Sequence, residues 1–399
     1  MDFFNYKNNI IHAEDVSITD LVKTYPTPFY LYSKATIERH YRLFDEALKL
    51  DNKKICYAVK ANSNDHVLKI LAANGSGADV VSKGEIEKAL AAGIKAQDIV
   101  YSGVGKKKTE IAFAIDQNIF QFNTESKEEI FMIDEIARSK NKIQDIVLRI
   151  NPNVDAKTNS KISTGKKGDK FGIDLAYVPE VLKEIRNLKN INFRGLSVHI
   201  GSQITEIAPF AAAFKVTIDF AKSLLSDGYK IDRIDFGGGV GVPYGDNKTI
   251  SIADYAEVAI AAASKLPGMT YIFEPGRLLV ANAGILVTQV ILVKRVAGKS
   301  FVIIDSAMND LLRPALYSAL HQVLPVVQDA EKEREACDIV GPVCETSDVF
   351  VRDILFQKQE ADDYLIIKSS GAYGAVMAST YNARPLILEY VVDGNNILT

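Results

Sequence analysis

Lys60 is the residue of this chain with the most distinctive chemistry. It ends the apolar, strand-like run Cys56–Lys60 and is followed by small and polar residues. A lysine at a strand end is usually a solvated surface charge. An amine can instead condense with an aldehyde when desolvation or a nearby cation lowers its pKa. Both interpretations stay open for Lys60 alone, so the other polar residues decide between them.

The triple glycine Gly237-Gly238-Gly239 and the single Gly276 also follow apolar runs. Glycine lets backbone N–H groups approach an anion closely, and a helix N-terminus nearby would favour phosphate. Tight turns use glycine runs too, so the motif indicates an anion site only if its position in the fold also favours one.

Glu274 follows an apolar run, where a buried carboxylate needs a partner. Arg277 could supply a structural ion pair. The alternative is a protonated ring nitrogen of a cofactor, which a carboxylate keeps charged.

His199 is either a core residue whose hydrogen bonds are satisfied or an inward-facing imidazole that stacks on a planar ring.

Three further groups of polar residues lie near the C-terminus. Cys344 stands between a Gly-Pro turn and acidic residues, and is either a proton donor or an inert turn residue. Arg313 and Tyr317 are four residues apart, so one helical turn would place both on one face. Guanidinium and phenol groups suit a carboxylate, and Tyr373 is a further polar anchor.

Eight strand-like segments alternate with amphipathic helical segments between residues 29 and 277. Eight such repeats predict a closed (β/α)8 TIM barrel of the α/β class. An open doubly wound sheet would need a glycine-rich turn after the first strand, and Lys60-Ala61-Asn62-Ser63 is not one. The predicted strands are Lys54–Lys60, Ala78–Ser82, Ile99–Gly103, Ile119–Asn123, Ile146–Asn151, Gly195–Gly201, Arg233–Gly238 and Tyr271–Arg277.

The polar residues of interest fall at the C-terminal ends of these strands, where barrel enzymes carry their active sites. That coincidence carries more weight than any single residue. A Lys/Gly/Ser/Thr-rich insertion at 155–174 follows the fifth strand. It is either a solvated surface loop or a mobile lid over the site.

Short β-branched runs separated by turns follow Arg277, which predicts an all-β second domain. We therefore expect a barrel at 28–277 and a β domain formed by 1–27 with 278–399. A chain of 399 residues exceeds what one hydrophobic core normally supports, in agreement with two domains.

Composition excludes several classes of protein. A net charge of −3 gives no electrostatic case for nucleic acid or an anionic membrane. No apolar stretch is long enough to cross a bilayer, and no secretion signal precedes residue 21. Three cysteines and five histidines lack metal-site spacing, so we expect no metal and a reducing cytoplasm.

Taken together, the motifs resemble those of the diaminopimelate decarboxylase family, in order through nearly the whole chain. That family consists of fold-type III enzymes that use pyridoxal 5′-phosphate (PLP). One small departure is Thr346, where many relatives carry serine. The motifs are Tyr57–Asn62, His199–Gln203, Gly237–Gly239, Glu274–Arg277, Cys344–Asp348 and Gly371–Gly374.

The resemblance implies decarboxylation of meso-2,6-diaminopimelate to L-lysine and CO2, the last step of lysine biosynthesis, by a homodimer with shared active sites. It implies that Lys60 holds the cofactor and that Cys344, from the partner subunit, donates a proton. The implied cofactor residues are Lys60, His199, Ser202, Gly239, Glu274, Pro275, Gly276, Arg277 and Tyr373. The implied substrate residues are Arg277, Arg313, Tyr317, Glu345 and Tyr373.

Rival functions share part of this pattern. Related decarboxylases of ornithine, arginine or carboxynorspermidine share the cofactor residues, but Arg277, Arg313 and Tyr317 favour an anionic substrate tail. In alanine racemases an arginine faces the ring nitrogen, so Glu274 argues against that family. A non-catalytic PLP carrier would resemble the barrel alone.

Overall fold

The computed structural model describes residues 2–156, 158, 164, 165, 168–245 and 248–399. The chain divides into two compact units. The barrel unit contains residues 41–242 and 248–277, and the sheet unit contains residues 1–40, 243–247 and 278–399. Two helices, Lys34–Ala47 and Arg277–Val280, cross a boundary between the units along the chain.

Eight parallel strands form the barrel, as the sequence predicts. Each strand pairs with the next, and Phe273 of the eighth strand lies opposite Ile55 of the first, which closes the ring. A two-residue strand, Ile173–Asp174, pairs with the end of the fifth strand. The eight strands are Lys53–Ala58, Gly77–Val80, Ile99–Tyr101, Gln121–Thr124, Gln144–Asn151, Ile191–Val198, Arg233–Asp235 and Thr270–Phe273.

The barrel helices follow from apolar spacing and N-terminal caps. In Lys127–Ser139, Ile130, Ile133 and Ala137 are buried on one face, and the Ser126 hydroxyl caps the start by accepting from the Glu129 N–H (3.2 Å). The barrel unit's other helices are Asp65–Ala73, Lys83–Ala91, Lys108–Gln117, Val178–Ile185, Ala208–Ser226 and Ile252–Ala263, with 3₁₀ turns at Val59–Ala61 and Ala96–Asp98. No helix within the described ranges is long and apolar enough to cross a lipid bilayer.

The sheet unit is mainly β, with two sheets and short helices at Ile18–Thr24 and Arg313–Tyr317. Short 3₁₀ turns occur at Ala281–Ala283, Ala375–Met377 and Tyr381–Ala383. Its strands are Phe4–Lys7, Ile10–Ala13, Val16–Ser17, Phe29–Ser33, Gly284–Val296, Lys299–Ile304, Val323–Pro325, Arg334–Val340, Val349–Gln357, Tyr364–Ile367, Leu388–Asp393 and Asn396–Leu398.

The strand Phe29–Ser33 marks a difference from the domain boundary that we expect at residue 28. All five of its residues are buried, and it pairs with both Gly284–Val296 and Leu388–Asp393. The sheet unit therefore extends to residue 40. A continuous apolar strand buried on both faces looks the same in sequence whether it belongs to a barrel or to another sheet, which explains the difference.

Candidate active site

Lys60 lies in a 3₁₀ turn, Val59–Ala61, directly after the first barrel strand. Its Nζ lies 2.7 Å from Oδ2 of Asp79, a fully buried residue of the second strand. The Lys60 side chain is 37% exposed. The amine is therefore held at the C-terminal end of the barrel by a buried carboxylate and is still open to a reactant.

Glu274 follows the eighth strand and is buried. Its Oε1 accepts a hydrogen bond from Nδ2 of Asn123 (2.9 Å), on the fourth strand. Arg277, the alternative partner considered above, donates Nη2 to the Ser202 hydroxyl (3.1 Å). Burial, followed by the nearby Asp235 and Asp79 carboxyls, raises the pKa of Glu274 well above its usual range.

The triple glycine packs so closely against neighbouring backbone that a side chain would not fit there. A Cβ on Gly238 would lie 2.1 Å from the carbonyl oxygen of Glu274, and one on Gly239 would lie 2.3 Å from that of Gly201. Gly239 also has a φ of +101°, which favours glycine. Pro275 accepts a hydrogen bond from the Ala58 N–H (3.1 Å), which ties this turn to the first strand.

We expect Gly238→Ala to lower both stability and cofactor affinity, because the new methyl group would push the Gly238 backbone away from Glu274. Overpacking of this kind costs about 1–3 kcal/mol. Chemical denaturation of the variant measures that cost. Gly84→Ala is the matched control, since Gly84 lies in the helix Lys83–Ala91 and its added Cβ would meet only the Ser82 hydroxyl, 3.9 Å away. Equal unfolding midpoints for the two variants would contradict this reading of the turn.

His199 lies one residue beyond the sixth strand and is half-buried. Its Nδ1 accepts a hydrogen bond from the Gly238 N–H (3.2 Å). Burial, with the positive charges of Arg149 and Lys60, holds the pKa of His199 well below its ordinary value. The imidazole is therefore neutral with its proton on Nε2, which leaves a flat, uncharged ring beside the glycine turn.

A buried ionic network, which our sequence reasoning did not assemble, supports this end of the barrel. Arg149 donates Nη1 to Oε1 of Glu125 (2.8 Å), and the other oxygen of Glu125 accepts from the Gly172 N–H (2.8 Å). Lys106 pairs with Glu129 at 2.6 Å. Glu125 thus fixes the C-terminal end of the predicted 155–174 insertion. Residues 157, 159–163, 166 and 167 of that insertion lie outside the described residues, and the mobile lid stays a prediction.

In the sheet unit, Arg313 and Tyr317 begin and end one short helix, as their spacing predicts. The Arg313 guanidinium is buried and lies 5.9 Å from the Tyr317 ring and 4.8 Å from the Tyr244 ring. Its Nε also donates to Nε2 of His321 (3.3 Å). Tyr244 and His321 were missed, because nothing in their local sequence marks them as neighbours of Arg313.

Cys344 is exposed, and its N–H donates to Oδ1 of Asn382 (3.2 Å). The neighbouring Glu345 is also exposed and accepts from the Tyr381 hydroxyl (3.2 Å). Tyr373 is half-buried with a φ of +55°, a left-handed backbone rare for a bulky residue. These three residues lie in the sheet unit, apart in sequence from the barrel strand ends.

The barrel residues fit PLP group by group. An aldehyde suits the Lys60 amine, a ring nitrogen suits the buried Glu274 carboxyl, and a phosphate suits the backbone N–H groups of the glycine turn. The clashes that a Cβ would cause at Gly238 and Gly239 show that the turn is shaped for close backbone approach. Among the residues that the structure describes, no cluster of three or more His, Cys, Asp or Glu is arranged to hold a metal ion.

Comparison with known proteins agrees with this geometry. Residues 34–281 match the family model described as "Pyridoxal-dependent decarboxylase, pyridoxal binding domain". The chain is 45% identical to a diaminopimelate decarboxylase of Vibrio cholerae over 99% of this chain and 94% of that protein. It is 38% identical to one of Aquifex aeolicus over 99% and 93% of the two chains.

Two solved structures are also similar. The diaminopimelate decarboxylase of Helicobacter pylori complexed with L-lysine has a TM-score of 0.91 and 43% identity, over 95% of each chain. The M. jannaschii diaminopimelate decarboxylase in co-complex with L-lysine has a TM-score of 0.94 and 35% identity, over 99% of this chain and 94% of that one.

A closed barrel that carries a lysine, a buried acid and a glycine turn at its strand ends, together with this family match, defines a PLP-dependent decarboxylase. Its cofactor is pyridoxal 5′-phosphate. Within that class, the chain belongs to the diaminopimelate decarboxylase family.

Proposed function

We propose that this protein removes one carboxyl group of meso-2,6-diaminopimelate and so produces L-lysine and CO2. The observation that carries the proposal is the near full-length similarity to proteins named diaminopimelate decarboxylase, at 38–45% identity for the relatives from Vibrio cholerae and Aquifex aeolicus. The solved relatives complexed with L-lysine support the product. The predicted place in lysine biosynthesis follows from the same product.

PLP, when bound, supplies an electron sink for the pair of electrons left at Cα when CO2 departs. In the proposal, Lys60 holds the cofactor covalently and Glu274 faces its ring nitrogen. His199, neutral and beside the glycine turn, stacks on the ring. Gly239, Ser202 and the backbone of Glu274, Pro275, Gly276 and Arg277 hold the phosphate, and Tyr373 reaches the cofactor.

Substrate recognition is assigned to cationic and phenolic groups for the distal carboxylate and to an acid for the distal amine. Arg277, Arg313 and Tyr317 bind the carboxylate, Glu345 binds the amine, and Tyr373 contacts the substrate as well as the cofactor. The guanidinium group of Arg313 is pre-oriented by Tyr244 and His321, so little conformational entropy is lost when it binds an anion.

Arg313→Lys is expected to raise KM for diaminopimelate roughly tenfold to a hundredfold, because lysine keeps the positive charge but lacks the planar, forked guanidinium group. A charge-assisted hydrogen bond contributes about 1.5–3 kcal/mol. Steady-state kinetics measures the change. Arg295→Lys is the control, since Arg295 lies in the same unit and its exposed side chain pairs with Glu335 at 3.1 Å. A normal KM for the Arg313 variant would remove Arg313 from the substrate site.

We also propose how the chains assemble and where in the cell the protein acts. Cys344 is exposed in the single chain, as a residue supplied to a partner subunit would be. We therefore place it in a homodimer with shared active sites, where its thiol donates a proton to Cα of the substrate. Three cysteines, too few for a disulfide framework, support a cytoplasmic location.

The rival is decarboxylation of another basic amino acid or of carboxynorspermidine. Release of CO2 from a panel of amino acids distinguishes the two, with the PLP-loaded protein and each substrate in turn. We expect release from meso-diaminopimelate alone, with one lysine formed for each CO2. Efficient release from ornithine, arginine or carboxynorspermidine would overturn the proposed substrate.

A further inference from the structure

Two buried carboxyls on neighbouring strands share one donor inside the barrel. Asp235 ends the seventh strand and Glu274 follows the eighth, and both are buried. Asn123 donates Nδ2 to Asp235 Oδ2 and to Glu274 Oε1, at 2.9 Å in each case. Gln121 donates to Asn123 Oδ1 (2.8 Å), and this contact fixes the amide with its nitrogen toward the two acids.

The second oxygen of Asp235 reaches the glycine turn. Asp235 Oδ1 accepts from the Gly237 N–H (2.8 Å), and Gly237 has a φ of +65°. A Cβ on Gly237 would lie 2.4 Å from the Val198 carbonyl oxygen. Asp235 therefore connects the acid proposed to face the ring nitrogen with the turn proposed to hold the phosphate.

Several titratable groups in the described part of the chain act on this pair. Asp79 is a third buried carboxyl near it, Lys60 is the nearby cation, and Cys56 and Tyr255 add only groups that burial keeps neutral. Burial raises the pKa of both Glu274 and Asp235. Two buried carboxyls that share one amide donor do not both ionise, so the pair retains one proton. Both oxygens of Asp235 already accept hydrogen bonds, so Glu274 carries that proton.

We propose that Asp235 is a positioning residue that keeps Glu274 protonated in the cofactor-free protein and holds the Gly237 turn in place. The inference rests on the proposed function. On cofactor binding, the O–H bond of Glu274 breaks and its proton forms an N–H bond at the ring nitrogen. Glu274 then remains beside it as the carboxylate. The proton therefore comes from the Asp235–Glu274 pair itself, and no other reactant is needed.

Calorimetric titration of the cofactor-free protein with PLP, in two buffers of different ionisation enthalpy, tests this proposal. Asp235→Asn removes the neighbouring carboxylate, one of the groups that raise the pKa of Glu274, so the cofactor-free variant loses part or all of the shared proton and takes the ring-nitrogen proton from solvent. Proton uptake should then exceed that of the unmodified protein, by up to about one per site. Asp232→Asn, just before the same strand and 48% exposed, should leave uptake unchanged. Equal uptake for Asp235→Asn would overturn the inference.

A second measurement covers the case in which Asp235→Asn does not fold. Infrared difference spectra on PLP addition should show loss of a protonated-carboxyl band in the unmodified protein, and Glu274→Gln should lack that change. Absence of the band in the unmodified protein, with PLP bound, would contradict the inference and leave the proposed function standing. Failure of the unmodified protein to bind PLP would instead defeat the proposed function.

Discussion

Replacing Lys60 by alanine is expected to abolish the visible absorbance of covalently bound cofactor and to reduce CO2 release to background. The methyl group cannot condense with an aldehyde, and the Asp79 carboxylate loses the cation 2.7 Å away. Absorption spectra after desalting and CO2 release report the two effects. Lys83→Ala serves as the control, since Lys83 is exposed and pairs with Glu87 within one helix.

A Lys60→Ala protein that stays yellow and active would remove Lys60 from the mechanism. Loss of absorbance in both the Lys60 and Lys83 variants would point to general damage. The predicted pattern is loss in the first variant alone, with unfolding midpoints that distinguish a lost site from a lost fold.

Cys344→Ala is expected to lower kcat by roughly 10²–10⁴, the effect typical of a lost general acid, and to leave KM nearly unchanged. The thiol is exposed in the single chain, so its removal leaves no cavity. Steady-state kinetics with diaminopimelate measures the change. Ser347→Ala alters the same exposed loop without touching the thiol and should keep full turnover. Unchanged turnover in Cys344→Ala would mean that another group supplies the proton.

Mixing the two inactive variants tests whether subunits share sites. In a homodimer with shared sites, a mixed dimer of Lys60→Ala and Cys344→Ala chains has one site with both residues intact. Random exchange at equal ratio makes about half of the dimers mixed, so activity should recover to about one quarter of normal. No recovery after verified exchange would place Lys60 and Cys344 of one chain in the same site.

Much of the barrel could be predicted because its signals are local. Short apolar runs that end in polar residues and alternate with amphipathic helices mark all eight strands to within a few residues. Lys60, Glu274 and the glycine triplet stand out because each breaks an apolar run at the strand end where barrels place their chemistry. The resemblance of the ordered motifs then assigned roles that spacing alone left open.

The remainder depends on contacts between distant residues. Asn123 and Asp235 look like ordinary strand polar residues, and only the closed ring brings them to Glu274 at hydrogen-bond distance. Tyr244 and His321 meet Arg313 in the same way. The strand Phe29–Ser33 carries no sign of which sheet it joins, because its burial on both faces removes the alternation that would indicate a partner.

We propose that PLP is covalently bound to Lys60 at the C-terminal end of the barrel. Borohydride reduction of the PLP-loaded protein makes the lysine–cofactor bond permanent, and peptide mass spectrometry then locates it. We expect one modified residue per chain, Lys60, and no modification in the Lys60→Ala variant. Modification of another lysine with Lys60 intact would contradict this proposal.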